Sequence, residues 1–296
     1  QTLAYGLIKL RDMGIPVVGT IHHPITMDKR IDIKHAETLS LKLLKWRWYS
    51  FLKMQIKVAR KLDPIIVVSE NTRKDVVKDF KIDPKKTRKV LHGIDHKTFE
   101  PIPSIERKKN QLITTASADV PLKGLIYLIR AYSELLNEFP DLSLVVIGKL
   151  RDGPTSNELD KKDIKNKVKF ISDLTSREIA ELYAESTIAI SPSVYEGFGF
   201  PAGEAMSCGI PLISTNGGSL PEVVGNSGII VPHSNPNELR KAIKELLLSP
   251  EKRKELGEKG RKRVLEKFTW KRAAKELVEV YREAISNADN RSRSVS

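Results

Sequence analysis

The chain of 296 residues holds one cysteine, Cys208. A single thiol closes no internal disulfide, so a packed core has to stabilise the fold. The residue is expected inside a helix as a small buried apolar group in a reducing, cytoplasmic setting. No apolar run approaches the roughly 18–20 residues that span a bilayer, and no signal peptide is read at the start. Clustered metal-ligand spacings, internal repeats and low-complexity tracts are missing too. Carboxylates are scarce, with 37 Asp and Glu against 51 Lys and Arg, a net +14. Such an excess suits nucleic acid, an anionic membrane surface or a phosphorylated substrate, but also describes a merely solvated surface. Charge alone does not choose among them.

What is present has an ordinary globular composition, 40% hydrophobic and 30% charged, with room for two domains of about 100–200 residues each. From residue 111 onward, apolar segments at 111–116, 142–148, 168–171, 187–191, 210–214 and 228–231 alternate with helical patterns. The stretch 122–139 carries apolar residues at 125, 128, 129, 132, 135, 136 and 139, the stripe of a 3.6-residue period. Thr175 and Glu178 form a capping-box pattern and Asn235 a helix cap. This alternation predicts a doubly wound parallel sheet. Before residue 101 only 16–21 and 64–69 read as strands, after a helical tail at 1–13. A Rossmann-like half needs more strands than two, so the N-terminal domain is expected to lack its first part. The predicted division is 1–104 for that partial domain, 105–267 for the second, 268–286 for a terminal helix and 287–296 for a disordered tail.

The most informative stretch is 191–225, SPSVYEGFGFPAGEAMSCGIPLISTNGGSLPEVVG. Gly197 and Gly199 allow a sharp turn and close ligand approach, and Pro201 fits the first turn of a helix. A glycine loop emptying into a helix start is a ready anion site. Glu196 sits in the loop and Glu204 on the helix, two acceptors suited to a ligand with a phosphate and many hydroxyls. The EGFGFPAGE segment, the A-x-x-x-G-x-P at 205–211 and the Gly-Gly doublet that precedes Glu222, at 217–222, resemble the retaining glycosyltransferases of family 4. The alternative reading is a tight loop with capping glutamates in an ordinary α/β domain.

That resemblance implies the GT-B fold, two Rossmann-like doubly wound parallel-sheet α/β domains, here with the N-terminal one incomplete. The missing part would carry a glycine-bearing loop that faces the donor phosphates. The donor would be a nucleotide-diphosphate sugar and the acceptor a hydroxyl on a glycan, lipid or small molecule, with no cofactor. Glu196 would grip the donor sugar, Glu204 the ribose hydroxyls, and the amides of Gly197, Phe198 and Gly199 the diphosphate. Lys123, followed by Gly124, matches the second member of the family's Arg–Lys diphosphate clamp. The arginine position falls on Ser117 or Ala118, leaving one cation for two phosphates. His22, in the T-x-H at 20–22 after a strand, matches the acceptor-domain histidine, either bonding the donor sugar or lining the acceptor site; His23 is a weaker candidate. The segment 90–101 resembles the family's N-G-I-D…F-x-P passage, with His92 in place of Asn. The terminal helix would cross back to the first domain.

With Glu196, His22 and Lys123 as catalytic residues, transfer would pass through an oxocarbenium-like state steadied by positioned charges rather than by a protein nucleophile. No D-x-D occurs in the chain, so no essential metal is expected. The segment 39–61 combines Trp46, Trp48, Tyr49 and Phe51 with seven Lys and Arg. It reads either as a helix in a membrane interface, giving a peripheral position on the inner membrane face, or as a long helix with its aromatics packed inward. Two rival functions stay open: a phosphorylase or sugar-phosphate synthase on the same fold, and a basic non-catalytic module for anionic lipid or nucleic acid. On the enzyme reading nucleic acid is not a partner.

Overall fold

Short runs rich in Ile, Val and Thr become most of the strands. The computed structural model describes residues 3–116 and 120–293. The chain forms two units, Gln1–Gly93 with Trp270–Ser296, and Ile94–Thr269. In the first, β1 (Gly19–Ile21), β2 (Ile65–Val67) and β3 (Thr87–Lys89) pair in parallel in the order β1-β2-β3. The third strand was not expected. Only Thr87 of its three residues is buried, so no apolar run announces it. The core under this sheet gathers Val58, Leu62, Ile65, Val67, Val76 and Phe80.

The segment 39–61 is not one long helix. It divides into Leu39–Trp48, a tight 3-10 turn at Tyr49–Phe51, and Leu52–Ala59. The aromatics divide with it. Tyr49 is buried and its hydroxyl donates to Asp32 at 2.7 Å, whereas Trp46 and Trp48 are 57% and 73% exposed. The inward-packing alternative therefore fails for both tryptophans.

The second unit contains a six-stranded parallel sheet. Its strands are β4 (Gln111–Thr115), β5 (Ser143–Ile147), β6 (Val168–Ile171), β7 (Ile188–Ser191), β8 (Leu212–Thr215) and β9 (Ile229–Val231). All six candidate segments of the sequence are strands, in the order β6-β5-β4-β7-β8-β9. Near-continuous burial along β4, β5, β7 and β8 is what helices on both faces of a sheet require. The stripe in 122–139 packs inward through Leu125, Leu128, Ile129, Tyr132 and Leu135, although the helix itself is shorter, Leu125–Leu135. Thr175 and Glu178 form the capping box, and Asn235 caps Pro236–Leu248.

The division between units falls at Gly93/Ile94 rather than near 104. Ile94 donates its N–H to Phe268 O at 2.7 Å, and its side chain lies against Gly203. Arg261 then holds the carbonyls of His96, Phe99 and Ser207, each at 2.9 Å, so residues 94–101 are fastened within the second unit. The last helix, Trp270–Arg293, belongs to the first unit and continues through 287–293, where a disordered tail was expected. Val280, Ala284 and Ala288 recur every four residues and are buried, and Val280 packs with Ile66 and Val90.

Candidate active site

The chain lays down β4, moves outward through β5 and β6, and returns to place β7 on the other side of β4. The sheet order reverses between β4 and β7, and open parallel sheets bind ligands beyond the carboxyl ends of strands at such a point. Lys123 follows β4 and Glu196 follows β7, so both expected residues lie on the two loops that flank the reversal.

These loops interlock. Val194 donates its N–H to Leu122 O at 2.8 Å. Gly124 has φ +65°, and a Cβ there would lie 2.1 Å from Pro192 O, so only glycine allows the approach. Lys123 sits on the 3-10 turn Pro121–Lys123, before the helix rather than in it. Its ammonium reaches Glu196 Oε1 at 2.7 Å, and Ser193 Oγ donates to the same oxygen at 2.8 Å. Both side chains are largely sheltered, Lys123 29% and Glu196 12% exposed. From the far side, Ser219 donates its N–H (2.9 Å) and its hydroxyl (3.0 Å) to the Glu196 carbonyl. A Cβ on Gly217 would meet Ser193 O at 2.5 Å, and one on Gly218, at φ +61°, would meet Glu196 O at 2.2 Å. The Gly-Gly turn is thus the clamp that shapes the Glu196 loop.

Gly197, Phe198 and Gly199 lead into the helix Phe200–Ser207, with Gly199 at φ +96° as its N-cap and Pro201 in its first turn. No side chain caps this helix start by a hydrogen bond; Pro201 brings no N–H to it, and the Gly203 N–H is taken by the Gly199 carbonyl at 3.2 Å. The Phe198 ring is buried edge-on against Phe200 and Phe268, at 5.2 and 5.8 Å between centroids. It anchors the loop, and any contribution to ligand binding falls to its backbone. Glu204 stands on the same helix, and burial pushes its carboxyl up to about 7. Tyr183 braces the site, its hydroxyl 3.1 Å from Thr115 Oγ1 at the end of β4 and 3.3 Å from Pro201 O. Cys208 follows this helix, buried, with its thiol raised to about 12 by the same desolvation. The missing arginine position, Ser117 or Ala118, lies outside the described residues.

His22 belongs to the first unit, just past the end of β1. Its Nδ1 lies 3.1 Å from His92 Nε2. His23 instead pairs with Asp28 at 2.8 Å. The sequence pattern assigns no role to Ser193, Ser219 or Tyr183. The Gly-Gly doublet and the Ser three residues before Glu196 were visible signals, whereas nothing local marks Tyr183.

Residues 97–263 match the family model described as glycosyl transferases group 1, and residues 1–98 match glycosyltransferase family 4. The MMP alpha-(1->4)-mannosyltransferase of Mycolicibacterium hassiacum is 39% identical over 97% of this chain and 70% of its own length. The D-inositol 3-phosphate glycosyltransferase of Streptomyces bingchenggensis is 29% identical, over 75% of this chain and 53% of its own. Among solved structures, Anabaena Alr3699/HepE in complex with UDP superposes with a TM-score of 0.77 at 18% identity, covering 95% of this chain and 76% of that one.

Proposed function

Since the chain belongs to the glycosyl transferases group 1 and has the GT-B fold, we propose that it moves a sugar from a nucleotide-diphosphate sugar to a hydroxyl acceptor, with retention and without a metal. The observation that carries this reading is the Lys123–Glu196 pair at 2.7 Å on the two loops beside the sheet reversal. In that arrangement the Lys123 ammonium and the amides of 197–199 neutralise the departing diphosphate. Glu196, already oriented by Lys123 and Ser193, accepts from hydroxyls of the donor sugar. Glu204 accepts from the ribose. Because these charges are fixed before the sugar arrives, little reorganisation is needed as the glycosidic bond breaks. His22 is the group proposed on the acceptor side. The mannosyltransferase activity printed for the 39% identical relative makes a mannosyl donor the first to try.

The test is calorimetry of the chain against GDP-, UDP- and ADP-sugars, followed by transfer assays in EDTA. We expect one nucleotide class to bind, with affinity lowered about tenfold or more by Lys123→Met, since a charge-assisted contact contributes about 1.5–3 kcal/mol. Loss of transfer in EDTA would refute metal independence. No binding across the whole panel would refute the donor assignment and favour a non-catalytic module.

A peripheral membrane contact is proposed as well. In Leu39–Trp48 no residue is buried, and Leu39, Leu43 and Trp46, on one helical stripe, are 83%, 68% and 57% exposed beside Lys42 and Arg47. Among the described residues no helix is long and apolar enough to cross a membrane.

A further inference from the structure

His92 stands where the resembled motif carries Asn. Its Nε2 lies 3.1 Å from His22 Nδ1, with the two rings within 15° of parallel. The segment that carries it is held firmly inside the first unit. Arg272 donates to Leu91 O at 2.8 Å, and Gly93 admits the backbone of Trp270 so closely that a Cβ would lie 2.5 Å from its nitrogen. The Trp270 ring sits 6.3 Å from that of His92. His92 is therefore a fixed point, and His22, more exposed at the strand end, is the ring that needs fixing.

We propose that His92 is a positioning residue that holds His22 in one tautomer, with the His22 proton on Nε2. An N···N bond accommodates a single proton. If His92 Nε2–H donates it, both rings carry their proton on Nε2. If His22 Nδ1–H donates it, both carry it on Nδ1. The first arrangement is the one assigned, with the His22 Nδ1 as acceptor of the His92 Nε2–H. His22 then presents an N–H at Nε2, a donor for a sugar or acceptor oxygen, in a fixed direction. Burial agrees with a neutral pair, since it lowers His92 to about 4 and lowers His22 also. The inference rests on the transferase reading for its consequence, but not for its geometry.

The experiment joins long-range proton–nitrogen NMR of the full chain, with His22 assigned through His22→Gln, to steady-state transfer kinetics. The unsubstituted chain should show His22 as the Nε2–H form alone. His92→Phe should give a tautomer mixture and lower kcat about 10–100-fold while donor KM changes little, as a misplaced group does. His92→Asn, whose amide can donate to Nδ1, should restore both the single tautomer and most of kcat. Circular dichroism melting confirms that the variants fold, and the spectrum of the unsubstituted chain tests the idea without any variant. A mixed or Nδ1-protonated His22 in that spectrum overturns the proposal, as does a His92→Phe chain with unchanged spectrum and kcat. Absence of transfer in the unsubstituted chain, with the spectra as expected, counts against the transferase reading alone.

Discussion

Glu204 sits in an environment that disfavours its own charged form. Its carboxyl is raised to about 7 because burial disfavours the charged form. The folded state thus holds a proton between the ordinary carboxylate range and pH 7 that the unfolded chain has lost. Stability from this group falls as pH rises through that window and levels off above it. Glu204→Gln removes the charge and keeps the shape. We expect it to be more stable than the parent at pH 8 by about 1–3 kcal/mol, with the difference vanishing near pH 4. Denaturant melts at the two pH values measure this. The same variant should bind donor nucleotide more weakly at pH 8, since an amide replaces a charged acceptor. Higher stability together with weaker binding marks a group kept for its ligand. A glycine makes the opposite case. Gly218→Ala would push a Cβ to within 2.2 Å of Glu196 O from a left-handed backbone. We expect a loss of about 2–4 kcal/mol in melts and the loss of donor binding in calorimetry, because the loop it shapes carries Glu196.

At the scale of elements, the helix Leu39–Trp48 gives the prediction most sensitive to salt. Its lysines and arginine are attracted to an anionic surface over a screening length of about 10 Å at 0.1 M salt, while the exposed Leu and Trp insert. The chain should co-sediment with vesicles containing anionic lipid. Binding should weaken in high salt and be lost in Lys42→Glu/Arg47→Glu, while transfer to a soluble acceptor persists. Retained binding by that double variant would place the contact elsewhere. Such elements also show what could be read in advance. Strands β4, β5, β7 and β8 were legible because burial on both faces leaves short, mostly apolar runs. Glu196, Glu204 and the glycines between them were legible because they lie within nine consecutive residues. Strand β3 was not, since an edge position needs only Thr87 inside. Residues 287–293 read as tail because their letters are polar, yet Ala284 and Ala288 continue a buried stripe whose small side chains carry little hydrophobic signal. The Lys123–Glu196 bond joins residues far apart in sequence, and only the sheet order brings their loops together.

For the molecule as a whole, the division at Gly93/Ile94 separates proposed tasks as well as contacts. Lys123, Glu196, the glycine loop and Glu204 all fall in Ile94–Thr269, which has its own core from Leu112 through Leu256, whereas His22 and His92 fall in the other unit. Among the described residues, the hydrogen-bond partners of Glu196, namely Lys123, Ser193 and Ser219, lie in its own unit. Residues 94–269 expressed alone should therefore fold and bind the donor nucleotide within about threefold of the whole chain, since a self-contained domain keeps its preorganised loops. Transfer should be lost, because the acceptor-side histidines are gone. Calorimetry on the isolated unit and on the whole chain, with an activity assay on both, separates the two expectations. If the isolated unit folds cooperatively yet binds no nucleotide, donor recognition requires the first unit, and the assignment of that task to the loops beyond β4 and β7 fails.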